Sequence, residues 1–580
     1  MKQFLKFTLA TIVGIIVVWL IGILFLFAVA GVLSKSQNKV TELQPNSVYE
    51  LDLKGTLVER SKDNPLAGLS EAFGQPEEIE IGLDDVLSNI TKAKDNSNVV
   101  GIYLKGGALS GGMASIKEIR DALIDFKKSG KFIIAYADTY TQSNYYLVSV
   151  ADKILLNPQG MVEFRGLSAE LMFLKNTLDK LGIEMQVVKV GTYKSAVEPF
   201  INTKMSDANR EQVTTYIGSM WKTLLSDISD ARKINADTLN WYADQMMLFQ
   251  PTELSQKYRL VDSLVYVDEM DSIINKYSKD YTLVKHKDMT TAPDDSRFEK
   301  DKVAVIYAMG DIDGGDSEGI VSEDLIKTID KVAKEDNVKA VVFRVNSPGG
   351  SAYGSEQIWR ALTNLKAKKP LIVSMGDYAA SGGYYISSMA DMIVAQPNTL
   401  TGSIGIFGLI PNIQGLNNKL GLTYDEVKTN KMSDAISINR PFRPEERALM
   451  QAYVNRGYEL FVKRCADGRK KTTDQIKAIA EGRVWTGQDA VKIGLVDRIG
   501  GIDEAIRIAA KKAKLTAYNV KSYPEKEDFS TKILKSLGED VETRIMKAQL
   551  GEQYQVLRQI NNLKKINGIQ ARLPYELILK

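Results

Sequence analysis

Apolar and polar positions alternate along the chain in blocks that predict strands and helices in turn. In the second half, residues 302–307, 338–345 and 371–375 are short apolar runs, as is typical of buried strands. Residues 323–334 and 356–366 lie between these runs and have the mixed pattern of helices that bury one face. Strands that alternate with helices in this way predict a layered α/β fold.

Two further elements follow in the same half. Residues 392–395 form another short apolar run, and a long helix is predicted from Pro444 to about Cys465. The helix begins with a proline followed by two glutamates, and both features are typical of helix N-termini.

The first half repeats the second at a constant offset of 239 residues, without a gap from about residue 98 to residue 196. Asp138 corresponds to Asp377 and Pro158 to Pro397, for example. A register held over so many residues predicts two copies of one domain. We place the copies at residues 47–286 and 302–525. A polar linker is predicted over residues 287–301, and a basic, amphipathic, helical tail over residues 526–580.

An almost wholly apolar stretch, residues 7–33, precedes the first copy. A membrane-spanning helix needs about 20 apolar residues, whereas the apolar core of a cleavable signal peptide has about 7–15. Length therefore predicts a retained transmembrane anchor within residues 1–46, although residues 28–30 (AVA) also resemble a cleavage site. The short basic N-terminus favours an anchor with its N-terminus inside the cell and the two copies outside.

Composition limits which partners and which catalytic sites the chain can have. The net charge of +3 over 580 residues gives no electrostatic reason to expect a nucleic-acid partner. Cys465 is the only cysteine, so an intrachain disulfide or a thiolate metal cluster is excluded. His286 is the only histidine, and its charged surroundings predict a solvated linker residue. A Ser-His-Asp triad and a zinc-hydrolase site therefore lack their key residue, and no metal or cofactor is expected.

One serine lies where a nucleophile would be well placed. Ser381 stands in the small-residue segment AASGG (379–383), between the strand predicted to end at residue 375 and a helix predicted to start at Tyr384. A helix N-terminus presents free N–H groups and partial positive charge, and glycines allow another backbone to approach closely. The alternative is a plain helix cap, a position that serine also favours.

The two copies differ at this position and at one other. Gln142 in the first copy corresponds to Ser381, and Ser433 in the second copy corresponds to Lys194. The first copy thus has the lysine without the serine, and the second has the serine without the lysine. This pattern is what a duplicated domain would show if one site were divided between its halves. Neutral drift of surface loops is the alternative.

Several motifs together resemble those of the SppA family of signal peptide peptidases in its tandem-repeat form, which belongs to the ClpP/crotonase superfamily. The matching segments are residues 191–200 (GTYKSAVEPF), 346–351 (NSPGGS), 379–385 (AASGGYY), 400–405 (LTGSIG) and 482–497. The resemblance covers nearly the whole chain, and the predicted fold is therefore two tandem ClpP/crotonase-like domains after one transmembrane helix.

The resemblance implies a membrane-anchored serine endopeptidase with a Ser/Lys dyad. Ser381 would be the nucleophile, Lys194 the general base, and Ser403 a hydroxyl that orients the lysine. The implied oxyanion donors are backbone N–H groups of three glycines, Gly349, Gly350 and Gly382. The family further implies a homotetramer on the outer face of the bacterial cytoplasmic membrane, which degrades apolar signal-peptide remnants.

A lysine can act as a base only when its amine is neutral, so its pKa must be lowered, and burial does this. Apolar residues on both sides of Lys194 fit a buried position. Glu198 is the one acid close to it in sequence, and an ion pair would keep the amine charged. We therefore predict that Glu198 points away from Lys194.

Two other functions remain open from the residues. A crotonase-like acyl-CoA enzyme would use the same fold and glycine turns, but the anchor and the divided Ser/Lys pair do not suit it. A non-catalytic membrane scaffold that assembles through contacts between the repeats is the second alternative.

Overall fold

A computed structural model describes residues 3, 6–8, 10–18, 21, 41–61, 79–293, 299–314, 319–526 and 569–572. Within these residues the chain forms the two predicted α/β copies. The repeat is visible in the elements themselves. The helix Met113–Lys127 of the first copy and the helix Ala352–Lys366 of the second are separated by the offset read from the sequence.

The first copy is built on a parallel sheet. Its described strands are β1 (Ser47–Val58), β2 (Glu80–Gly82), β3 (Val99–Ser110), β4 (Phe132–Tyr140), β5 (Lys153–Val162), β6 (Glu184–Val190), β7 (Ser263–Leu264) and β8 (Thr282–Lys285). The order in the sheet is β2-β1-β3-β4-β5-β7, with β8 also paired to β1. β6 leaves this sheet and belongs to another.

Helices follow these strands in the chain. They are α1 (Leu83–Asp95), α2 (Met113–Lys127), α3 (Gln142–Val148), α4 (Lys175–Leu181), α5 (Glu198–Ile201), α6 (Asp207–Arg232), α7 (Ala236–Asp244), α8 (Thr252–Lys257), α9 (Met270–Asn275) and α10 (His286–Thr291). α1 and α2 bury apolar faces in the core, as helices covering a parallel sheet do.

The second copy repeats the sheet. Its strands are β9 (Lys302–Met309), β10 (Val338–Ser347), β11 (Gly349–Ser351), β12 (Leu371–Ala380), β13 (Met392–Ala395), β14 (Leu400–Gly402), β15 (Ile406–Asn412), β16 (Val484–Thr486), β17 (Arg498–Ile499) and β18 (Asn519–Tyr523). The order is β16-β14-β12-β10-β9-β18, with β13 paired to β12 and β17. β9, β10 and β12 are almost completely buried, which explains their continuous apolar runs.

The helices of the second copy include the long one predicted from its proline. They are α11 (Ser322–Lys334), α12 (Ala352–Lys366), α13 (Gly382–Tyr385), α14 (Gln414–Leu420), α15 (Pro444–Arg469), α16 (Thr473–Lys477), α17 (Gly487–Lys492) and α18 (Ile502–Lys512). Cys465 is buried on α15. The helix predicted to start at Tyr384 begins two residues earlier, at Gly382, and it ends at Tyr385, where turns follow.

A third, antiparallel sheet joins the two copies. Its order is β11-β19-β15-β6, where β19 is Ile569–Arg572. β6 of the first copy pairs with β15 of the second over seven residues, from Ile406 opposite Val190 to Asn412 opposite Glu184. This pairing carries the segment after β6 toward the second copy.

A buried ionic cluster also connects the copies. Arg344 on β10 is fully buried, and its guanidinium lies 2.9 Å and 3.0 Å from the carboxylate oxygens of Glu59 and 2.7 Å from Glu118. Both carboxylates belong to the first copy. Asp377 of the second copy adds a contact by accepting hydrogen bonds from the N–H groups of Ala114 and Ser115, each at 3.0 Å.

The predicted linker and its histidine need correction. Residues 286–291 form α10, Met289 is buried in the core of the first copy, and β8 pairs with β1 just before this helix. His286 is largely shielded from solvent, and its Nδ1 lies 2.7 Å from the Tyr49 hydroxyl. Burial lowers the pKa of His286. The first copy therefore extends beyond residue 286, because this helix completes its core.

Two of the predictions concern the ends of the chain, namely the membrane anchor and the helical tail. Most of the predicted anchor lies outside the described residues; positions 10–18 are helical. No helix in the described part of the chain has the length and apolar character required to cross a membrane. Most of the predicted helical tail also lies outside the described residues. Beyond residue 526 its described part is Ile569–Arg572, which is a strand rather than a helix because it pairs with β11 and β15.

Candidate active site

Ser381 lies at the junction between β12 and α13, in a conformation that few residues adopt. Its φ is 54° and its ψ is −113°, and its N–H donates to the carbonyl of Gly402 at 2.8 Å. The side chain is fully buried. Such strained backbone between a strand and a helix is found where a structure must hold one side chain in a fixed direction.

The small residues after Ser381 are required by close packing. A Cβ on Gly383 would lie 2.5 Å from the carbonyl oxygen of Ser347, and one on Gly382 would lie 2.8 Å from the Oγ of Ser355. Only glycine allows the start of α13 to sit this close to β10 and α12. The AASGG segment is therefore more than a helix cap, since its glycines fix where Ser381 stands.

Lys194 reaches Ser381 from the other copy. It follows β6 and precedes a 3₁₀ turn, Ser195–Val197. Its Nζ lies 2.8 Å from Ser381 Oγ, 3.0 Å from Ser403 Oγ and 3.2 Å from the carbonyl oxygen of Ser403. Lys194 of the first copy and Ser381 of the second copy thus lie within hydrogen-bond distance of each other.

The surroundings of Lys194 favour a neutral amine. The residue is completely buried, and burial lowers its pKa well below the ordinary lysine value of 10.5. Glu198 does not pair with it. The Glu198 carboxylate instead accepts hydrogen bonds from Ser206 at 2.5 Å and 3.1 Å and from Asn209 at 2.9 Å. The prediction that Glu198 points away from Lys194 is confirmed.

Ser403, like Ser381 and Lys194, is buried and fixed in position by the surrounding backbone. Its φ is 49°, its N–H donates to the carbonyl of Arg483 at 2.7 Å, and its side chain is buried. Both its hydroxyl and its carbonyl lie within hydrogen-bond distance of Lys194 Nζ. Ser403 can therefore restrict the directions in which the amine points.

The glycine turn lies against Ser381. Gly349 and Gly350 have φ values of 109° and 150°, and a Cβ on Gly349 would lie 2.8 Å from the backbone N of Gly382. The N–H of Gly349 donates to Ser347 Oγ at 3.2 Å. Gly350 and Gly382 are accordingly better placed than Gly349 to offer backbone N–H groups to a bound carbonyl oxygen.

The corresponding positions in the other copy have different roles. Gln142, which aligns with Ser381, accepts hydrogen bonds from the N–H groups of Arg165 and Gly166 and holds that loop in place. Ser433, which aligns with Lys194, lies in an exposed turn with Asn430. Neither position repeats the pairing of Lys194 with Ser381.

Sequence reasoning missed two parts of the site. Gly482, with a φ of 78°, lies directly on Lys194, since a Cβ there would be 2.7 Å from the N, Cα and Cβ atoms of the lysine. β19 lies between β11 and β15, in the groove beside Ser381. The glycine belongs to a recognised motif segment, which was a usable signal. No pattern in the sequence indicates where residues 569–572 lie.

The arrangement can activate an alcohol. A serine hydroxyl is a weak nucleophile until a base removes its proton, and a neutral lysine amine at hydrogen-bond distance can be that base. The described residues contain no group of histidine, cysteine and acidic side chains able to hold a metal ion.

Comparisons with known proteins agree with this chemistry. The model of peptidase family S49 matches residues 125–280 and 363–516. Protease 4 of Salmonella typhi is 37% identical over 543 residues, covering 90% of this chain and 86% of that protein. The chloroplastic serine protease SPPA of Arabidopsis thaliana is 30% identical over 550 residues, covering 92% and 78%.

A solved structure of a ClpP1 point mutant from Listeria monocytogenes is also similar, at 14% identity. It covers 35% of this chain and 94% of that one, with a TM-score of 0.25.

Two tandem α/β domains that match one peptidase family, together with relatives matched over most of their length, define the class. The chain belongs to peptidase family S49, and it is a serine peptidase of that family. The family resemblance read from the motifs is confirmed.

Proposed function

We propose that the chain is an endopeptidase that uses a Ser/Lys dyad formed between its two copies. Lys194 takes the proton from Ser381, whose Oγ attacks the scissile carbonyl carbon. The lysine then returns that proton to the leaving amine and activates the water that hydrolyses the acyl-enzyme. Ser403 orients the Lys194 amine toward Ser381 Oγ.

One observation carries this proposal. Lys194 Nζ lies 2.8 Å from Ser381 Oγ in a fully buried environment that lowers the lysine pKa. Burial without a neighbouring acid is what a lysine base requires. The backbone N–H groups of Gly350 and Gly382 are the proposed oxyanion donors, and the loss of one such donor typically costs about 10²–10³ in rate.

The proposed substrates are apolar peptides, above all remnants of cleaved signal peptides. The groove beside Ser381 accommodates an extended strand between β11 and β15. Main-chain pairing on both sides binds an extended peptide with little dependence on its sequence, as suits a degradative peptidase. The resemblance of the motifs to those of signal peptide peptidases supports this substrate class.

The dyad is tested by single substitutions on an internally quenched apolar peptide. Ser381→Ala and Lys194→Met should each lower kcat by at least about 10³-fold, as expected for a nucleophile and its base. Ser388→Ala is the matched control. Ser388 is equally buried close to α13, but its Oγ donates only to the carbonyl of Tyr385. Full activity of either dyad variant would refute the proposal.

We further propose that residues 7–33 anchor the chain in the bacterial cytoplasmic membrane, with both copies on the extracytoplasmic side. The described positions in this stretch support an apolar contact, because Phe7, Val18 and Ile21 are exposed on a helix. Removal of residues 1–40 should shift the protein from the membrane to the soluble fraction. Unchanged fractionation of the shortened protein would contradict this anchor.

We also propose that the chain forms a homo-oligomer, with four copies as the family resemblance implies. The proposed contact repeats, between neighbouring chains, a strand pairing that each chain makes once within itself. β6 and β15 pair within the chain, and their equivalents at the repeat offset are residues 423–429 and 167–173. Neither equivalent forms a strand. Val188 on β6 is 1% exposed, whereas its equivalent Val427 is 100% exposed. Pairing residues 423–429 with residues 167–173 of a neighbouring chain would bury Val427 in the same way.

Light scattering tests this assembly. Val427→Asp should reduce the particle mass toward that of one chain, because a charge would be buried in the pairing. Val520→Asp is the control, since Val520 is half-exposed on β18, away from both segments. An unchanged mass for Val427→Asp, or a monomeric parent protein, would refute the proposed contact.

A further inference from the structure

Lys194 lies on a loop, residues 191–197, that a side chain of α6 contacts on both sides of the lysine. The neighbours of Lys194 in the chain are Tyr193 and Ser195. Gln212 Nε2 lies 3.1 Å from the carbonyl oxygen of Tyr193 and 3.0 Å from Ser195 Oγ. An amide nitrogen has two N–H donors, so Gln212 can hold the lysine loop before and after Lys194.

The oxygen of the same amide binds the other copy. Gln212 Oε1 accepts a hydrogen bond from the N–H of Val484 at 3.2 Å. Val484 begins β16, which pairs with β14 and lies opposite Gly402. The carbonyl of Arg483, the residue before it, accepts a hydrogen bond from the N–H of Ser403 at 2.7 Å. Gln212 therefore connects the lysine loop of the first copy to the strand that fixes Ser403 in the second.

The position of Gln212 is itself fixed by a buried network. Gln212 is 1% exposed, and its Nε2 also lies 3.1 Å from Asn209 Oδ1. Asn209 Nδ2 donates to the Glu198 carboxylate at 2.9 Å. The network thus runs from Lys194 along the chain to Glu198, across to α6, and back through Gln212 to the lysine loop. This arrangement explains why Glu198 is buried yet directed away from the amine.

The copy without the lysine also lacks this glutamine. α6 and α15 are the long helices of the two copies, and each has 26 residues. The sixth residue is Gln212 in α6 and Leu449 in α15, and Leu449 is 62% exposed. The buried amide is therefore present in the copy that carries Lys194 and is replaced in the copy that carries Ser381.

We infer that Gln212 is a positioning residue for catalysis, which holds the lysine loop in register with Ser403 and so keeps Lys194 Nζ within reach of Ser381 Oγ. The inference rests on the proposed function of Ser381 and Lys194. Gln212 acts through Tyr193 and Ser195 rather than by contact with the reacting atoms. Without its amide the loop is free to shift, and a displacement of about 1 Å at a catalytic group typically costs about 10²-fold in rate.

Gln212→Met tests the inference, because methionine has a similar length and no amide. Its kcat on the quenched apolar peptide should fall by about tenfold, the effect of losing one hydrogen bond that favours the reactive position. KM should stay near the parent value, because a displaced base slows the chemical step without weakening peptide binding. Labelling of Ser381 by a fluorophosphonate should slow by the same factor as kcat, since it requires the base but no bound peptide.

Gln186→Met is the matched control. Gln186 is also a buried glutamine of the first copy, and its Oε1 accepts a hydrogen bond from the N–H of Phe442 in the second copy at 2.6 Å. It lies on β6, away from the lysine loop. The control thus loses a hydrogen bond between the copies without losing a contact to that loop, and it should keep the parent kcat and labelling rate.

Ser195→Ala is a milder second variant. It removes one of the two contacts that Gln212 makes beside Lys194, and it should lower both kcat and the labelling rate about threefold. In a chain that already carries Gln212→Met, Ser195→Ala should have little further effect, because the shared contact is already lost. If Gln212→Met does not fold, parent values of kcat and labelling for Ser195→Ala overturn the inference.

The outcomes separate this inference from the proposed function. A folded Gln212→Met with parent kcat and labelling rate overturns the role of Gln212, as does a change confined to KM. An equal loss in Gln186→Met would assign the effect to weakened contact between the copies, and additive effects of Gln212→Met and Ser195→Ala would show that the two residues act separately; either result also overturns it. The proposed function stands in each case if Lys194→Met is inactive. Full activity of Lys194→Met refutes the proposed function and the role of Gln212 with it.

Discussion

Gly482→Ala should reduce catalysis by displacing Lys194 without removing any group that touches the substrate. The added Cβ would lie 2.7 Å from the N, Cα and Cβ atoms of Lys194. Carbon atoms in van der Waals contact are about 3.5–4.0 Å apart, so the lysine backbone must retreat by about 1 Å. Lys194 Nζ lies 2.8 Å from Ser381 Oγ in the parent protein. A displacement of this size would lengthen that distance beyond hydrogen-bond range. A misplacement of about 1 Å typically costs about 10²-fold in rate.

The control isolates this displacement from backbone strain. Gly421 has a φ of 72°, close to the 78° of Gly482, but a Cβ there would meet no atom within 4 Å. Left-handed backbone costs a residue with a side chain about 1–2 kcal/mol at either position. Urea unfolding should therefore show the backbone strain alone for Gly421→Ala, and a larger loss of stability for Gly482→Ala, whose Cβ also overlaps Lys194. Steady-state kinetics on the quenched peptide should show the drop in kcat of about 10²-fold only for Gly482→Ala. Equal kcat values for the two variants would refute the reasoning.

Four further predictions follow, three from the surroundings of Lys194 and one from the buried cluster around Arg344. Because burial lowers the pKa of Lys194, kcat/KM should rise with pH through a midpoint well below 10.5, and a midpoint at the ordinary lysine value would contradict the assignment. The unfolded chain binds this proton more readily than the folded one, so stability should fall as pH falls from 10.5 through the lowered pKa; urea titrations of Lys194→Met should lack that loss. Ser403→Ala should lower kcat about tenfold with little change in KM, since one contact to Nζ is lost and the Ser403 carbonyl remains; unchanged kcat would remove Ser403 from the site. Arg344→Met should lower the free energy of unfolding by about 3–5 kcal/mol, because Glu59 and Glu118 would be left buried without their partner; a loss below about 1 kcal/mol in urea unfolding would contradict this.

The sequence was sufficient for the two α/β copies because their signals are local. The apolar runs at β9, β10 and β12 and the proline start of α15 each reflect burial or backbone preferences within a few residues. The constant offset between the copies then indicated that Ser381 and Lys194 could be two halves of one divided site, and the family resemblance favoured this interpretation over neutral drift. The structure places them together because β6 crosses to β15.

What the sequence did not predict depends on contacts between distant residues. β19 pairs with strands that lie far earlier in the chain, and nothing in its four residues specifies those partners. His286 was expected in a linker because its neighbours in the sequence are charged. In the structure α10 packs on α1, and these charged neighbours lie on its solvent-facing side. The buried cluster had a readable signal, because Arg344 interrupts an apolar strand and a buried arginine requires carboxylates.

Covalent labelling of Ser381 by a fluorophosphonate tests the pairing of the serine with the lysine most directly. The reagent reports the nucleophilicity of the hydroxyl without requiring peptide binding or product release. We expect mass spectrometry to locate the adduct on Ser381, and the labelling rate to fall by at least about 10²-fold in Lys194→Met, as expected for loss of a general base. Labelling of Ser381 in Lys194→Met at the parent rate would show that the buried amine, although 2.8 Å away, does not activate the serine.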